Sequence, residues 1–152
     1  MTASNPFQNL HHVCIVVHDM ANAVAFYESV GIGPWQDFPS LEVFSGELDV
    51  PDKAAFLKLH YRFANLENVQ LQLCAPPEGN TPQRKFLDTH GEGVFHLGFS
   101  VPSCDEGQAQ GQALGLDILL RGRLPDRNGF TYFDTREKGA GVTLQVRSAK
   151  RA

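Results

Sequence analysis

Hydrophobic and polar residues alternate with a period of two in four segments of the chain, which is the pattern of β-strands with one buried face. The first pair of segments is residues 10–17 and 69–74, and the second pair is residues 95–101 and 142–147. Apolar residues at helical spacing follow the first segment of each pair. The pattern therefore predicts two copies of one module with the order β-α-β-β-β.

Capping and helix-ending residues mark the expected helices. Asp19 and Ser103 can cap the helix of the first and second copy, and Gly31 and Gly115 can end these helices in a left-handed conformation. A linking helix is expected between the copies, at about residues 81–91, with a proline at its first position.

A single α+β domain over residues 1–152 is the expected organisation, with modules at about residues 9–76 and 93–147. The 152 residues are enough for one core but few for two, so the repeat favours two halves of one fold. A strand is also expected at residues 56–64, whereas residues 41–53 have no clear pattern.

Four polar residues occupy matching places in the two copies, on the strand face opposite the aliphatic side chains: His12, Gln72, His96 and Gln145. If the two modules pack side by side, their sheets would form one cup lined by all four side chains. Imidazole and amide groups converging in this way favour a metal site. The alternative is that these groups line a cleft and only form hydrogen bonds with one another.

The same segments resemble the vicinal oxygen chelate superfamily, which includes glyoxalases, methylmalonyl-CoA epimerases, extradiol dioxygenases and drug-resistance proteins. The sequence LHHVCIVVHDM at residues 10–20 is similar to the opening strand of that family. VQLQLCAP at 69–76, KFL at 85–87 and GEGVFH at 91–96 are similar to the epimerase pattern in order and spacing. The resemblance implies a cup-shaped sheet built from two paired βαβββ modules, the glyoxalase/bleomycin resistance/dioxygenase fold.

The resemblance also implies that His12, Gln72, His96 and Gln145 are the metal ligands. The family usually has glutamate at the fourth position, where it serves as ligand and as proton-transfer base. Gln145 cannot accept a proton near neutral pH. The expected cofactor is a divalent ion (Zn, Ni, Co, Mn, Fe or Mg), and an anionic substrate would supply the charge that the ligands lack.

His60 is a candidate base in place of the missing glutamate, since its ordinary pKa suits the task. Lys58, His60 and Arg62 are expected on one strand face, either towards the cup or at a solvent edge, with Tyr61 and Phe63 towards the helix. In the cup, Lys58 and Arg62 would bind a carboxylate or phosphate. A solvated basic stripe is the alternative.

The remaining candidates are weaker. Surface solvation is the first interpretation of Arg121, Arg123 and Arg127. The alternative is that they anchor an anionic substrate, with Arg121 as the candidate binding residue. Three histidines, His11, His18 and His90, fall outside the matched positions and are interpreted as non-ligands. Four aromatic residues could line the base of an apolar pocket or belong to the core: Trp35, Phe38, Phe44 and Tyr132.

Composition limits the partners of the protein. A net charge of −4 argues against nucleic acid, and the basic residues 147–151 are interpreted as a solvated, frayed end. No stretch is apolar enough to cross a membrane, and residues 1–8 do not resemble a signal peptide. Three cysteines without a paired spacing fit free thiols in a cytoplasmic protein. A homodimer is expected by analogy with the family.

The sequence thus predicts a metal-dependent lyase or isomerase that enolises a small carbonyl, carboxylate or thioester substrate. The competing prediction is a metal-free small-molecule binding protein, similar to the drug-resistance members of the family. A vestigial cup in a dimeric scaffold is a third alternative.

Overall fold

The structure is a computed structural model that describes residues 5–150. The expectations for the first four residues of the N-terminus and for residues 151–152 of the basic tail lie outside the described part. The described chain has an α+β fold with two compact units. The N-terminal unit contains residues 12–41 and 51–95, and the C-terminal unit contains the segment before His12, residues 42–50 and the chain from His96 onward.

The elements follow the predicted order, with additions in the first copy. Those of the N-terminal copy are β1 (Leu10–Val16), α1 (Met20–Ser29), β2 (Gln36–Asp37), a 3-10 helix (Leu41–Phe44), β3 (Leu48–Asp49), α2 (Lys53–Leu57), β4 (His60–Asn65) and β5 (Gln70–Ala75). The linking helix is α3 (Pro82–Thr89). The C-terminal copy contains β6 (Gly93–Ser100), α4 (Cys104–Ala113), β7 (Ile118–Arg123), β8 (Gly129–Phe133) and β9 (Thr143–Ser148).

Strand pairing repeats between the units. The order is β2-β4-β5-β1 in the N-terminal unit and β6-β9-β8-β7-β3 in the C-terminal unit. The pairs β1–β5 and β6–β9 are parallel, and the pairs β4–β5 and β8–β9 are antiparallel. The predicted βαβββ modules are therefore confirmed. Strand β3 was not predicted, and it pairs with β7 of the other copy.

The helix caps match the sequence pattern. The side chains of Asp19 and Ser103 accept hydrogen bonds from the backbone amides of Asn22 and Glu106, three residues further on. Gly31 and Gly115 adopt φ angles of 88° and 91°, the left-handed conformation that ends a helix. These local signals fixed both helices to within two residues.

The strand predicted at residues 56–64 is partly wrong. Asp52 caps a short helix, α2, by accepting a hydrogen bond from the amide of Ala55, and β4 begins only at His60. Lys53, Ala54 and Ala55 form a helical first turn after a strong cap. The alternation of apolar residues further along masked this signal.

Helices α1 and α4 each pack against the aliphatic face of their own module. In the N-terminal unit, Ile15, Val17 and Leu73 pack with Met20 and Val24 of α1. In the C-terminal unit, the core cluster consists of Cys104 of α4, Phe133 and Val146, with Val101 packed against it. The predicted facing of these four strands is confirmed, and it leaves the alternate residues on the opposite face.

Two glycines let α4 approach the sheet closely. A Cβ atom at Gly107 would lie 3.1 Å from a methyl group of Val101, and one at Gly111 would collide with the ring of Phe133. Since Phe133 is fully buried, its ring has little space into which it can move.

Gly111→Ala is therefore expected to lower the free energy of unfolding by about 1–3 kcal/mol through overpacking. Chemical denaturation of the purified variant measures this change. Gln112→Ala is the control, because Gln112 is exposed on the same helix. Equal stability of the two variants would show that α4 does not pack as described.

The structure also bears on the expectations for the cysteines and for membrane-spanning segments. The three cysteines, Cys14, Cys74 and Cys104, are free and buried. Burial raises the pKa of Cys14 and raises that of Cys74 to about 12, so both act as small protonated hydrophobes. Within residues 5–150, none of the helices has the length and apolar character needed to cross a bilayer.

Candidate functional site

The histidine and glutamine of each unit occupy the same positions in its sheet. Cys14, two residues after His12, is opposite Gln72 in the β1–β5 pair. Gly98, two residues after His96, is opposite Gln145 in the β6–β9 pair. Side chains two residues apart on a strand share a face. Each unit therefore holds one histidine and one glutamine on neighbouring strands, on the face that its helix does not cover.

All four of these side chains are buried. The exposed fractions are 2% for His12, 4% for Gln72, 0% for His96 and 6% for Gln145. Burial lowers the pKa of His96 to about 3, because the charged imidazolium is poorly solvated there. The imidazole of His96 is consequently neutral at physiological pH, which is the form that binds metal ions.

The amide groups differ in their hydrogen bonds. The Nε2 atom of Gln72 donates to Oε1 of Gln70 at 2.8 Å, which orients the amide. The Oε1 atom of Gln145 is buried and accepts no hydrogen bond from any residue that the structure describes. A buried oxygen of this kind costs about 1–3 kcal/mol unless it gains a partner. A bound cation or a hydrogen-bond donor would offset this cost.

Aromatic side chains flank both glutamines on the same face. Phe63 is opposite Gln72 in the β4–β5 pair, and Tyr132 is opposite Gln145 in the β8–β9 pair. The rings of His96 and Tyr132 meet edge to face, with centroids 4.9 Å apart. Further rings extend each surface, since Phe38 contacts Phe63 in one unit and Phe44 contacts Phe130 in the other. Trp35 instead belongs to the core under α1.

Negative charge is lacking on this face. Among the strand residues that the structure describes, no aspartate or glutamate shares the face with His12 in the N-terminal unit or with His96 in the C-terminal unit. Within residues 5–150 there is also no group of three histidine, cysteine, aspartate or glutamate side chains that could hold a metal ion. Each unit offers one imidazole and one amide oxygen, donor types that can coordinate a divalent ion without compensating its charge.

The predicted orientation of the Lys58, His60 and Arg62 stripe is wrong. Arg62 is opposite Leu73 in the β4–β5 pair, so Arg62 and His60 lie on the face that α1 covers. Tyr61 shares the other face with Gln72. Lys58 is not on the strand at all, because it forms the exposed C-cap of α2.

His60 and Arg62 have partners at the sheet edge. The Nε atom of Arg62 lies 3.2 Å from Oδ1 of Asp37, and its Nη2 donates to the carbonyl of Trp35 at 2.9 Å. His60 lies 4.0 Å from the same carboxylate, and its side chain is 53% exposed. It lines a cavity of about 340 Å³ together with Asp37 and Tyr61. His60 is therefore not on the strand face that bears His12 and Gln72.

Arg121 and Arg123 also lie on the face opposite the histidine of their unit. Arg121 is opposite Thr131, whose neighbour in β9 is Val146 of the α4 core. Its Nη2 atom lies 3.1 Å from Glu47, and its Nε donates to Gln108 at 2.9 Å. Arg121 is thus held by α4 and by the segment before β3, away from the face that bears His96 and Gln145.

The interpretation of Arg123 as a solvated residue is wrong, because its side chain is fully buried. Its guanidinium donates to Asp105 at 2.9 Å, to Gln108 at 2.8 Å, to Thr131 at 2.9 Å and to the carbonyl of Phe130 at 2.6 Å. These four hydrogen bonds offset the cost of burying the positively charged guanidinium. Arg123 therefore joins α4 to strands β7 and β8.

Arg127 completes the cluster of charges. It donates twice to Asp105, at 2.9 and 3.0 Å, and once to Glu47 at 2.7 Å. Hydrogen bonds from Arg127, and then from Arg123, hold the pKa of Asp105 at about 2, below its usual range. The carboxylate of Glu47 links the short β3 segment to this cluster. The cluster is a structural network that sequence spacing did not reveal.

The sequence-based interpretation overlooked one residue on the histidine-bearing face. Arg147 was predicted both as the last residue of the strand at 142–147 and as the first residue of a frayed tail, and the structure places it within β9, half-buried. Its spacing of two residues from Gln145 was the available signal, since alternation places both side chains on one face.

The three histidines interpreted as non-ligands lie in different surroundings. Burial, followed by the positive charge of Arg147, lowers the pKa of His11 to about 4. The amide of His18 donates to the carboxylate of Glu92 at 2.8 Å. The ring of His90 stacks on Phe86, with centroids 4.5 Å apart.

Solved structures with a similar fold include methylmalonyl-CoA epimerases. The enzyme from Mycobacterium tuberculosis has a TM-score of 0.72 at 19% identity, with 99% of this chain and 94% of that chain covered. A variant of the Streptomyces coelicolor epimerase, in complex with 2-nitronate-propionyl-CoA, has a TM-score of 0.72 at 19% identity, with 96% and 97% covered. A hypothetical protein from Bacillus halodurans C-125 has a TM-score of 0.69 at 17% identity, with 95% and 96% covered. At these identities the likeness shows a common fold.

Sequence comparison gives the family. No curated protein matches the chain. The family model described as the glyoxalase/bleomycin resistance protein/dioxygenase superfamily matches residues 11–133, which include His12, Gln72 and His96 and end before Gln145. The match covers most of the chain and agrees with the two βαβββ modules. The chain belongs to the glyoxalase/bleomycin resistance protein/dioxygenase superfamily.

Proposed function

We propose that the protein is a divalent-metal-dependent isomerase or lyase that enolises a small carbonyl, carboxylate or thioester substrate. The observation that carries the proposal is the repeated register, which gives each unit a buried histidine and glutamine on one face. Family membership supports it, as does the buried Oε1 atom of Gln145, to which no residue that the structure describes donates a hydrogen bond. The similar epimerase structures point to isomerisation as one form of this chemistry.

The proposed ligands are His12, Gln72, His96 and Gln145. A bound divalent ion would polarise a substrate carbonyl and so make the neighbouring C–H bond more acidic. The residues themselves hold the donors in place: the strands fix the imidazoles, and Gln70 orients the amide of Gln72. Because all four donors are neutral, an anionic substrate would supply the compensating negative charge.

Position 145 does not provide the proton acceptor in this proposal, because an amide is not basic. His60 is not carried forward as the base, since the register of β4 puts it on the α1 face. The proton of the substrate would then pass to water or to a basic group of the substrate itself. Enolisation is expected to be slower than in an enzyme with a carboxylate at this position.

Metal analysis of untagged protein, purified without chelator, tests the ligand set. About one equivalent of a divalent ion per chain is expected for a catalytic site, and His12→Ala should lose it. Binding to the wild type and retention by His12→Ala would exclude His12 as a ligand. Less than about a tenth of an equivalent after reloading with each candidate ion would contradict the proposal.

Exchange of an α-proton in deuterated water tests the reaction. Methylmalonyl-CoA, the ligand in one similar epimerase structure, and acetoacetate are suitable probes of a thioester and a keto acid. Loaded protein is expected to accelerate exchange of at least one probe, with chelator-treated protein as the control. Equal rates in both samples would mean that the metal does not enolise these substrates.

A metal-free binding protein is the second candidate. It is favoured by the aromatic rings beside both glutamines and by the lack of a carboxylate on the described strand faces that bear them. Such a surface suits a planar apolar ligand. Ligand-induced thermal stabilisation of chelator-treated protein, without proton exchange after metal loading, would favour this candidate.

A further inference from the structure

Strand β9 carries a positive charge on the same face as Gln145. Thr143, Gln145 and Arg147 alternate with Leu144, Val146 and Ser148, and Val146 packs against α4. Arg147 therefore extends from the face that bears His96 and Gln145. Its partners in the neighbouring strands are Ser100 of β6 and Phe130 of β8.

Among the residues that the structure describes, Arg147 lacks the carboxylate partners that three other arginines of this unit have. Arg121, Arg123 and Arg127 all form ion pairs with Asp105 or Glu47 on the opposite face. Within residues 5–150, Arg147 forms no ion pair, although it is half-buried. A guanidinium that is partly removed from water without a counter-ion is unfavourable. An incoming anion would remove that disadvantage.

The duplicated register provides an internal comparison. The position two residues after the glutamine is Cys74 in the N-terminal unit and Arg147 in the C-terminal unit. Cys74 is fully buried and hydrogen-bonded to Tyr61, as expected of a packing residue. Packing therefore does not require a charge at this position. The asymmetry between the units fits a ligand whose charged group binds to the C-terminal unit.

Arg147 is also the single residue with a full charge among the described strand residues of these faces. In the N-terminal unit, Arg62 and Asp37 lie on the α1 side. In the C-terminal unit, Arg121 and Arg123 lie on the α4 side, and Asp49 shares their face through its pairing with Arg121. Among the described strand residues, attraction of an anion to the histidine-bearing face of the C-terminal unit therefore depends on Arg147.

We propose that Arg147 binds an oxyanion group of the substrate, a carboxylate or a phosphate, and so selects substrates that carry such a group beside the reacting carbonyl. The planar guanidinium can form two parallel hydrogen bonds to a group of this kind. The identity of the reaction rests on the proposed function, but the binding of the anion does not.

Strand geometry restricts the substrate further. The Cα atoms of Gln145 and Arg147 are about 6.6 Å apart along the strand, at about 3.3 Å per residue. A ligand that contacts both side chains would therefore carry its oxyanion group only a few bonds from its own carbonyl oxygen, which would lie near Gln145. Small dicarboxylates, keto acids and phosphorylated carbonyl compounds meet this condition.

Anion titration of chelator-treated protein tests the inference without any reaction. Malonate and inorganic phosphate serve as probes for the two oxyanions, with thermal stabilisation or the NMR shift of the Arg147 Nε–H group as the readout. Arg147→Gln is expected to weaken binding of the preferred probe about tenfold or more. Arg147→Lys keeps the charge but not the planar fork, so an intermediate loss is expected.

Lys150→Gln is the matched control, because it removes the same charge from an exposed position three residues further on. Wild-type affinity in this variant, together with the loss in Arg147→Gln, supports the inference. Equal affinity of Arg147→Gln and wild type, an equal loss in Lys150→Gln, or no binding of either probe to the wild type overturns it.

The two proposals can fail separately. If anion binding depends on Arg147 but no metal binds and no proton exchanges, the proposed function is wrong and the anion site stands. If a probe does exchange, Arg147→Gln should raise its KM about tenfold and change kcat little, because contact with an oxyanion whose charge does not change during the reaction contributes uniform binding. A reduced kcat at unchanged KM would overturn the assignment of Arg147 as a substrate anchor.

Discussion

Replacement of Arg123 by alanine is expected to lower the free energy of unfolding by about 3–5 kcal/mol, the range for breaking a buried ion pair by removing one partner. The variant leaves a cavity and removes the donors to Asp105, Gln108 and the carbonyl of Phe130. Urea denaturation at neutral pH measures the change. Because the network joins α4 to β7 and β8, the whole C-terminal unit should lose stability.

Two controls separate the possible causes. Arg84→Ala removes an arginine whose ion pairs with Glu78 and Asp88 lie at the surface, so its expected cost is about 0–1 kcal/mol. Arg123→Met keeps much of the side-chain volume without the charge, and it separates cavity formation from the loss of hydrogen bonds. A cost below about 1 kcal/mol for Arg123→Ala would show that the network does not stabilise the fold.

The pH dependence of this effect has a defined sign. The pKa of Asp105 is about 2 in the folded protein, below its ordinary value of 3.8. Its ionised form therefore contributes stability fully above about pH 4, and this contribution disappears as the pH falls through 2. The stability difference between wild type and Arg123→Ala should narrow over this range, since both then lose the ionised carboxylate.

Gln145→Glu is expected to raise the rate of α-proton exchange by about 10² to 10⁴-fold, the usual contribution of a positioned general base. The substitution introduces the carboxylate that the family usually has at this position. It should also increase metal affinity, because the added negative charge compensates that of the ion. Without metal, burial would raise the pKa of the new carboxyl group, and the apo variant should be less stable than wild type.

Gln72→Glu is the matched control that the duplication provides. It adds the same carboxylate at the corresponding position of the N-terminal unit. If position 145 is specifically the place for a base, both variants should bind metal more tightly, and only Gln145→Glu should exchange protons faster. Equal acceleration by the two variants would assign the effect to charge alone, and no acceleration by Gln145→Glu would contradict the proposed mechanism.

The site was predictable from sequence to the extent that it depends on alternation within single strands. The residues on both sides of Gln72 and Gln145 are aliphatic, and Val13 and Leu97 follow His12 and His96, so the buried helix-facing side of each strand was clear. The two copies also supported one another. Whether the two pairs of donors act on one ion remains a prediction, tested by the metal analysis and the His12→Ala control.

The charged residues were predicted less well. In β4 both faces contain aromatic or aliphatic residues, so composition did not show which face α1 covers, and the expected orientation was inverted. A shift of one residue in register moves every side chain of a strand to the other face. The pairing of Arg62 with Leu73 fixes that register, and it depends on contacts between distant parts of the chain.

By itself, the sequence determined the two βαβββ modules, their helix caps and the shared face of each histidine and glutamine, because these depend on neighbours a few residues away. Only the tertiary structure decided the pairing of β3 with β7, the burial of Arg123 and, within residues 5–150, the lack of an ion-pair partner for Arg147. These properties depend on which distant side chains come into contact. No local pattern encodes the presence of Asp105 and Glu47 beside one set of arginines and their absence beside another.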